Sequence, residues 1–180
     1  MRMYKEDTAA LVVDIQERLQ PSLHNGGEMV ANSAKLIRGL RILEVPVLVV
    51  RQYPKGLGEL LPEIREALGE HTPMDKLSFS ACGETEILDS LRAAERKNIL
   101  LMGAETHVCV LQSVLDLKAE GYQPVLVCDC LTSRRPQDAE IALRRAEAEG
   151  ATLTTSESVL FELLQRAGTE TFKKISALVK

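Results

Sequence analysis

Hydrophobic positions along the chain follow two alternating patterns. Residues 8–13, 45–50, 99–102 and 125–128 are short, nearly continuous runs rich in Val, Leu and Ile. Runs of that kind, without polar alternation, predict strands buried on both faces. Between them the apolar residues recur at helical spacing: Met29, Val30, Ala34, Ile37 and Leu40; Ile87, Leu88, Leu91 and Ala94; Val108, Leu111, Val114, Leu115 and Ala119; Ile141, Ala142 and Ala146. Gly121 and Gly150 fall where helices should stop, and Pro46 and Pro124 open strands where a missing N–H matters least. Two weaker strands, residues 74–77 and 151–154, bring the count to six, with Ser156 as a candidate helix cap after the last. The alternation predicts an α/β fold with an open, mostly parallel sheet and helices on both faces. Residues 172–180 carry Phe172, Ile175, Leu178 and Val179 at helical spacing, a terminal helix that docks on the body or on another subunit.

Composition narrows the function classes. The 180 residues are 45% hydrophobic, enough for one well-buried domain spanning residues 1–180. A formal net charge of −4, with no long single-sign block, gives no support to a nucleic-acid footprint or an anionic-membrane patch. No Trp and only three Tyr and three Phe leave little surface for stacking bases. No apolar run approaches the roughly 18 residues of a membrane span, and residues 1–8 lack the apolar core of a signal peptide, so a cytoplasmic location is expected. Cys82, Cys109, Cys128 and Cys130 show no paired zinc spacing and read as free thiols. The expected partner is a small molecule or another protein.

Ligands of open α/β sheets bind outside the carboxyl ends of the strands, and three chemically capable residues fall there. Asp14 directly follows the first apolar run; alone, it could equally cap a turn. Cys109 opens the helix after the fourth strand, where helix-terminal N–H groups favour thiolate over thiol and could hold an oxyanion; the alternative is an inert core cysteine. Lys76 ends the weak third strand, and a lone Lys is ordinarily a solvated charge. Together they would supply a nucleophile, a proton acceptor and a cation. A dinucleotide-binding module is excluded, because Asp14-Ile-Gln-Glu-Arg-Leu follows the first strand in place of a glycine-rich loop.

Asp14 in Val-Val-Asp-Ile-Gln, Lys76 in Asp-Lys-Leu-Ser-Phe and Cys109 in Gly-Ala-Glu-Thr-His-Val-Cys-Val resemble the three signature segments of the isochorismatase-like cysteine hydrolase superfamily. The match runs from about residue 8 to 164, and the cysteine segment is its specific part. Gln52-Tyr53-Pro54-Lys55-Gly56-Leu57-Gly58, with the Cys130-Leu131-Thr132-Ser133 turn, is further similar to a metal-free branch of that superfamily. The resemblance implies a Rossmann-like, doubly wound sheet in the order 3-2-1-4-5-6. It also implies a Cys109 nucleophile, Asp14 as general acid/base and Lys76 assisting. A cis peptide between Ala104 and Glu105 would aim the Glu105 and Cys109 N–H groups as an oxyanion hole. A homo-oligomer, dimer or higher, is implied as well.

Nicotinamidase-like members carry an Asp and histidines after the second strand that bind a metal; here Arg51-Gln52-Tyr53-Pro54-Lys55 stands there, so neither metal nor cofactor is expected. Isochorismate-cleaving members lack the cysteine, so Cys109 implies amide or carbamoyl-type C–N chemistry. Gln16, Arg51, Tyr53 and Phe79 are candidates for lining the substrate pocket. His107 should point away from Cys109, two residues on, and His24 and His71 earn no role. Cys128 and Cys130 read as one rim and one core cysteine. The competing function is a catalytically silent scaffold serving as an interaction or oligomerisation module.

Overall fold

The computed structural model describes residues 2–180; Met1, the first residue of the segment weighed above as a signal peptide, lies outside them. The elements run β1 (Thr8–Val13), α1 (Gly26–Ile42), β2 (Val47–Gln52), α2 (Pro54–Leu57), α3 (Pro62–Leu68), β3 (Met74–Lys76) and α4 (Thr85–Ala93). They continue with β4 (Asn98–Ala104), α5 (Leu111–Ala119), β5 (Gln123–Thr132), α6 (Pro136–Ala148), β6 (Thr152–Thr154), α7 (Ser156–Leu164) and α8 (Glu170–Val179). All strand pairs are parallel, in the order β3-β2-β1-β4-β5-β6.

The unbroken apolar runs have a simple cause, since successive side chains of a strand point to opposite faces and both faces are covered. Ala10 and Val12 of β1 join Leu100 and Met102 of β4 in a core closed by α1, α3, α7 and α8. Ala9, Leu11 and Val13, with Ile99 and Leu101, join the opposite core under α4, α5 and α6. Each fully buried Leu or Ile contributes roughly 1.5–3 kcal/mol, so the central strands anchor whatever is mounted on their ends. Thr169 caps α8 by accepting the Phe172 N–H at 3.0 Å, and Ile175 docks that helix on the chain's own body. Among the described residues no helix is long and apolar enough to cross a membrane.

Three features depart from the sequence pattern. The helices α2 and α3 fill a stretch in which the apolar pattern marks no element; at four and seven residues they are too short to show periodicity, and each begins with proline at its first position. β5 runs on to Thr132 instead of turning after Cys128. Leu101 pairs with Leu126 but Gly103 with Leu131, so β5 bulges across residues 127–130 and then rejoins β4. Cys109 sits not in the first turn of an α-helix but in a π-helical segment, Thr106–Val110, that precedes α5.

Gly103 is a position where only glycine fits. Its φ is 121°, and a β-carbon there would stand 1.9 Å from the Val13 carbonyl oxygen of the neighbouring strand. This close approach of β4 to β1 lies immediately before Asp14 on one strand and two residues before Glu105 on the other.

Candidate active site

The carboxyl ends of β1, β2, β3 and β4 converge on one buried cluster that holds Asp14, Gln52, Lys76 and Cys109. Asp14 follows β1 in the left-handed region, with φ 54°, a conformation that Asp tolerates better than most side chains. Its N–H still donates to the Val50 carbonyl at 3.3 Å, which holds the residue at the sheet rim. In the parallel register of β2 and β3, Lys76 stands beside Gln52. The buried Lys76 ammonium donates to Asp14 Oδ2 at 2.8 Å, Gln52 Oε1 at 2.5 Å and the Phe79 carbonyl at 3.1 Å. An ammonium has three hydrogens, and these acceptors occupy them.

Cys109 is buried, and its Sγ lies 3.8 Å from Gln52 Oε1. The second Asp14 oxygen, Oδ1, is buried and held by no other group among the described residues, which leaves it for the Cys109 thiol that Asp14 adjoins. Burial raises the Asp14 pKa above the ordinary 3.8, although the Lys76 charge opposes the rise. Burial and then the Asp14 carboxylate push the Cys109 thiol up to about 12, against the pull of Lys76. This reverses the thiolate expected from a helix start: removal from water and a neighbouring anion outweigh both the ammonium and the helix end.

The segment carrying the nucleophile candidate is fastened from both sides. The Ala104–Glu105 peptide bond is cis, the geometry the resemblance implies. The Glu105 carbonyl accepts the Val108 and Val110 N–H groups, at 3.1 and 3.2 Å, while the Cys109 N–H between them is not among its donors. Glu105 Oε2 accepts from the backbone N–H and from Nε of Arg134, each at 3.0 Å. His107 turns away from the sulfur, its Nδ1 2.9 Å from Ser133 Oγ. Ser113 Oγ donates to the Cys109 carbonyl at 2.7 Å and accepts the Ala81 N–H at 2.9 Å.

The candidate pocket residues divide. Gln16, expected at the substrate, is a backbone clamp: its Nε2 donates to the Gln52 and Gly58 carbonyls at 3.0 and 2.8 Å, and its Oε1 accepts the Gln52 N–H at 2.8 Å. Arg51 is likewise engaged, by Asp75 at 2.8 Å and by Glu59. Tyr53 and Phe79 are about half exposed, and with Leu77 they form an apolar rim beside Lys76. Gln52 is the residue that sequence reasoning missed. The available signal was positional, since Gln52 ends β2 as a polar side chain after an apolar run, as Asp14 does after β1.

The remaining cysteines stand apart. Cys130 is fully buried in the core, and Cys128 lines a cavity of about 330 Å³ at the end of β5. All four thiols are free. Among the described residues no three His, Cys, Asp or Glu side chains are placed to share a metal ion.

The isochorismatase domain model matches residues 8–158. Isochorismatase domain-containing protein 1 of Danio rerio is 36% identical over 172 residues, which cover 93% of this chain and 59% of that protein. The chain thus spans about three-fifths of that relative's length. Isochorismatase family protein 1B of Dictyostelium discoideum is 34% identical over 184 residues, covering 99% of this chain and 89% of that one. Among solved structures, MAR1 ribonuclease from Caenorhabditis elegans superposes with a TM-score of 0.94 at 36% identity, covering 99% of this chain and 92% of that chain.

Proposed function

The chain belongs to the isochorismatase family, and on that premise we propose that it is a cysteine hydrolase of a small amide or carbamoyl-type C–N bond. Cys109 is the nucleophile, Asp14 the acid/base and Lys76 the fixed counter-charge. The observation that supports this reading is the buried Asp14 carboxylate, one oxygen held by Lys76 and the other left for the adjoining Cys109 thiol.

The charges favour a concerted start. Asp14 carboxylate, Lys76 ammonium and neutral thiol sum to zero, and so do Asp14 carboxylic acid, ammonium and thiolate. A proton can therefore pass from Sγ to Asp14 without leaving a net charge in the buried site, where an uncompensated one is costly. The thiolate attacks the carbonyl carbon, and the oxygen of the tetrahedral adduct is held by the Glu105 and Cys109 N–H groups. Asp14 returns its proton to the leaving nitrogen as the C–N bond breaks, giving a thioester. Water then loses a proton to Asp14 and attacks the thioester, and the departing sulfur takes that proton back. Lys76, with all three hydrogens engaged, acts through its charge and its hold on Asp14.

The test is a panel of small amides and carbamoyl compounds, with mass spectrometry of the intact protein for an acyl adduct on Cys109. Turnover surviving in Cys109→Ala would overturn the mechanism. Because the ionised Asp14 is the active form and its pKa lies above 3.8, kcat/KM should fall with decreasing pH at a midpoint above 3.8. With the thiol at about 12, no second loss is expected near neutrality. An acid midpoint at or below 3.8 would remove Asp14 from the role.

The ribonuclease relative makes a phosphodiester the second substrate class. Against it stand the net charge of −4 and the engagement of Arg51 and Arg134 by carboxylates. Single-stranded RNA belongs in the same panel, and cleavage that persists in Cys109→Ala would favour that class. The exposed rim of Tyr53, Leu77 and Phe79 supports a homo-oligomer, dimer or higher, which light scattering over a wide concentration range tests.

A further inference from the structure

We infer that Gln52 is a fourth member of this site, a positioning residue whose Oε1 is shared by the Lys76 ammonium and the Cys109 thiol and holds the proton on sulfur while the site is empty. The inference rests on Cys109 being the reactive thiol of the proposed hydrolase.

The orientation of the Gln52 amide is fixed at both ends. Its Nε2 donates to the Leu77 carbonyl at 2.9 Å while Oε1 accepts from Lys76 at 2.5 Å. The flipped amide would set an NH2 against an ammonium and a carbonyl against a carbonyl, so Oε1 must face the site. Its backbone is pinned separately, the N–H and the carbonyl both bonded to the Gln16 side chain. The group facing Sγ at 3.8 Å is thus a neutral oxygen that cannot rotate away.

Such an oxygen discriminates between the two states of sulfur, because it accepts from an S–H but repels an S⁻. It also keeps one Lys76 hydrogen for itself, which a thiolate would otherwise compete for. The charged groups facing the thiol are Asp14 from the end of β1 and Lys76 from β3. Gln52 weakens the favourable influence of Lys76 and adds to the unfavourable influence of Asp14. In the empty site the thiol therefore stays neutral, slow to react with stray electrophiles and oxidants. It gives its proton to Asp14 when a carbonyl carbon is positioned to take the sulfur's electron pair.

The experiment is iodoacetamide alkylation of the full chain at about pH 8, read at each cysteine by peptide mass spectrometry, for wild type, Gln52→Leu and Gln52→Glu. Removing the oxygen should speed Cys109 labelling about tenfold, and placing a carboxylate there should slow it by a similar factor, as expected for changes of about one pH unit in thiol pKa. Opposite signs separate this role from a loss of packing, which would speed both variants. Cys130 reports any opening of the core; if Gln52→Leu exposes it, the Gln52→Glu rate alone decides, and it must fall. Unchanged rates, or changes of the same sign, overturn the inference. Turnover in Cys109→Ala is scored separately: its survival overturns the hydrolase and leaves the alkylation signs standing. Lost turnover with wrong signs overturns only the part assigned to Gln52.

Discussion

Cys109 and Cys130 are both buried thiols near the carboxyl ends of central strands, and burial pushes the pKa of each upward. They differ in what stands beside the sulfur. Cys130 is enclosed by the apolar core; the Asp129 carboxylate acts on it too, but both Asp129 oxygens are taken, by the Ser156 N–H and hydroxyl, and Lys35, Ser33 and Ser156 oppose the rise. Cys109 faces a carboxylate with an open oxygen, an ammonium and an amide oxygen. What separates the two sites is the carboxylate's freedom: the acid near Cys130 has both oxygens bonded elsewhere, and the acid near Cys109 keeps one for the thiol.

The harshest way to break that comparison is Cys109→Ala, which should lower turnover at least about a thousandfold, as removal of a nucleophile does in enzymes that act through one. Cys130→Ala should leave turnover unchanged. Next is Lys76→Met, which strands Asp14 without its counter-charge and should cost about 3–5 kcal/mol in urea unfolding. The sign of its pH dependence follows from Asp14: a folded-state pKa already raised above 3.8 rises further without Lys76. A raised carboxyl favours the fold when protonated, so the loss should be largest near neutrality and shrink as the pH falls. Adding Asp14→Asn to Lys76→Met should recover much of the deficit, and an additive double variant would deny the pair its coupling.

Gly103→Ala, whose β-carbon would meet the Val13 carbonyl, should cost about 3 kcal/mol and depress turnover, because the displaced strand carries Asp14. A variant as stable and as active as wild type would show that β1 yields freely there. The smallest effect is the stability change in Cys130→Ala, about 1 kcal/mol for the small void left in the core, readable as a shift of the urea midpoint.

Much of this architecture was legible in the chain. Residues 8–13 and 99–102 could only be doubly buried strands, and that fixed the rim on which Asp14 and the Cys109 segment stand. Lys76 was legible by position, although its three-residue strand carries almost no pattern of its own. Other features depend on what lies across the fold. Gln52 is one polar residue at a strand end, and its partners come from β3 and from the segment after β4. Gln16 looked like a pocket residue because it follows Asp14, yet the loop through Gly58 folds back and takes its amide. The direction of the Cys109 pKa was misread for the same reason: local helix geometry favours thiolate, and long-range burial outweighs it. The bulge in β5 and the π-helical turn add residues to regular elements, and nothing in periodicity marks them.

The strand order β3-β2-β1-β4 also governs when the site can exist during folding. Asp14 and Lys76 are 62 residues apart and Gln52 and Cys109 are 57, so the contacts that bring the acid to the ammonium and the sulfur to the amide close long loops. Contacts of that range form slowly, after the sheet that carries them has zipped together. The acid, the amide and the ammonium all lie within the first 76 residues, and the sulfur is contributed by the next strand to dock. A nascent chain ending before β4 would carry the acid, the amide and the ammonium without the sulfur, so the cluster is completed only after that strand has joined β1.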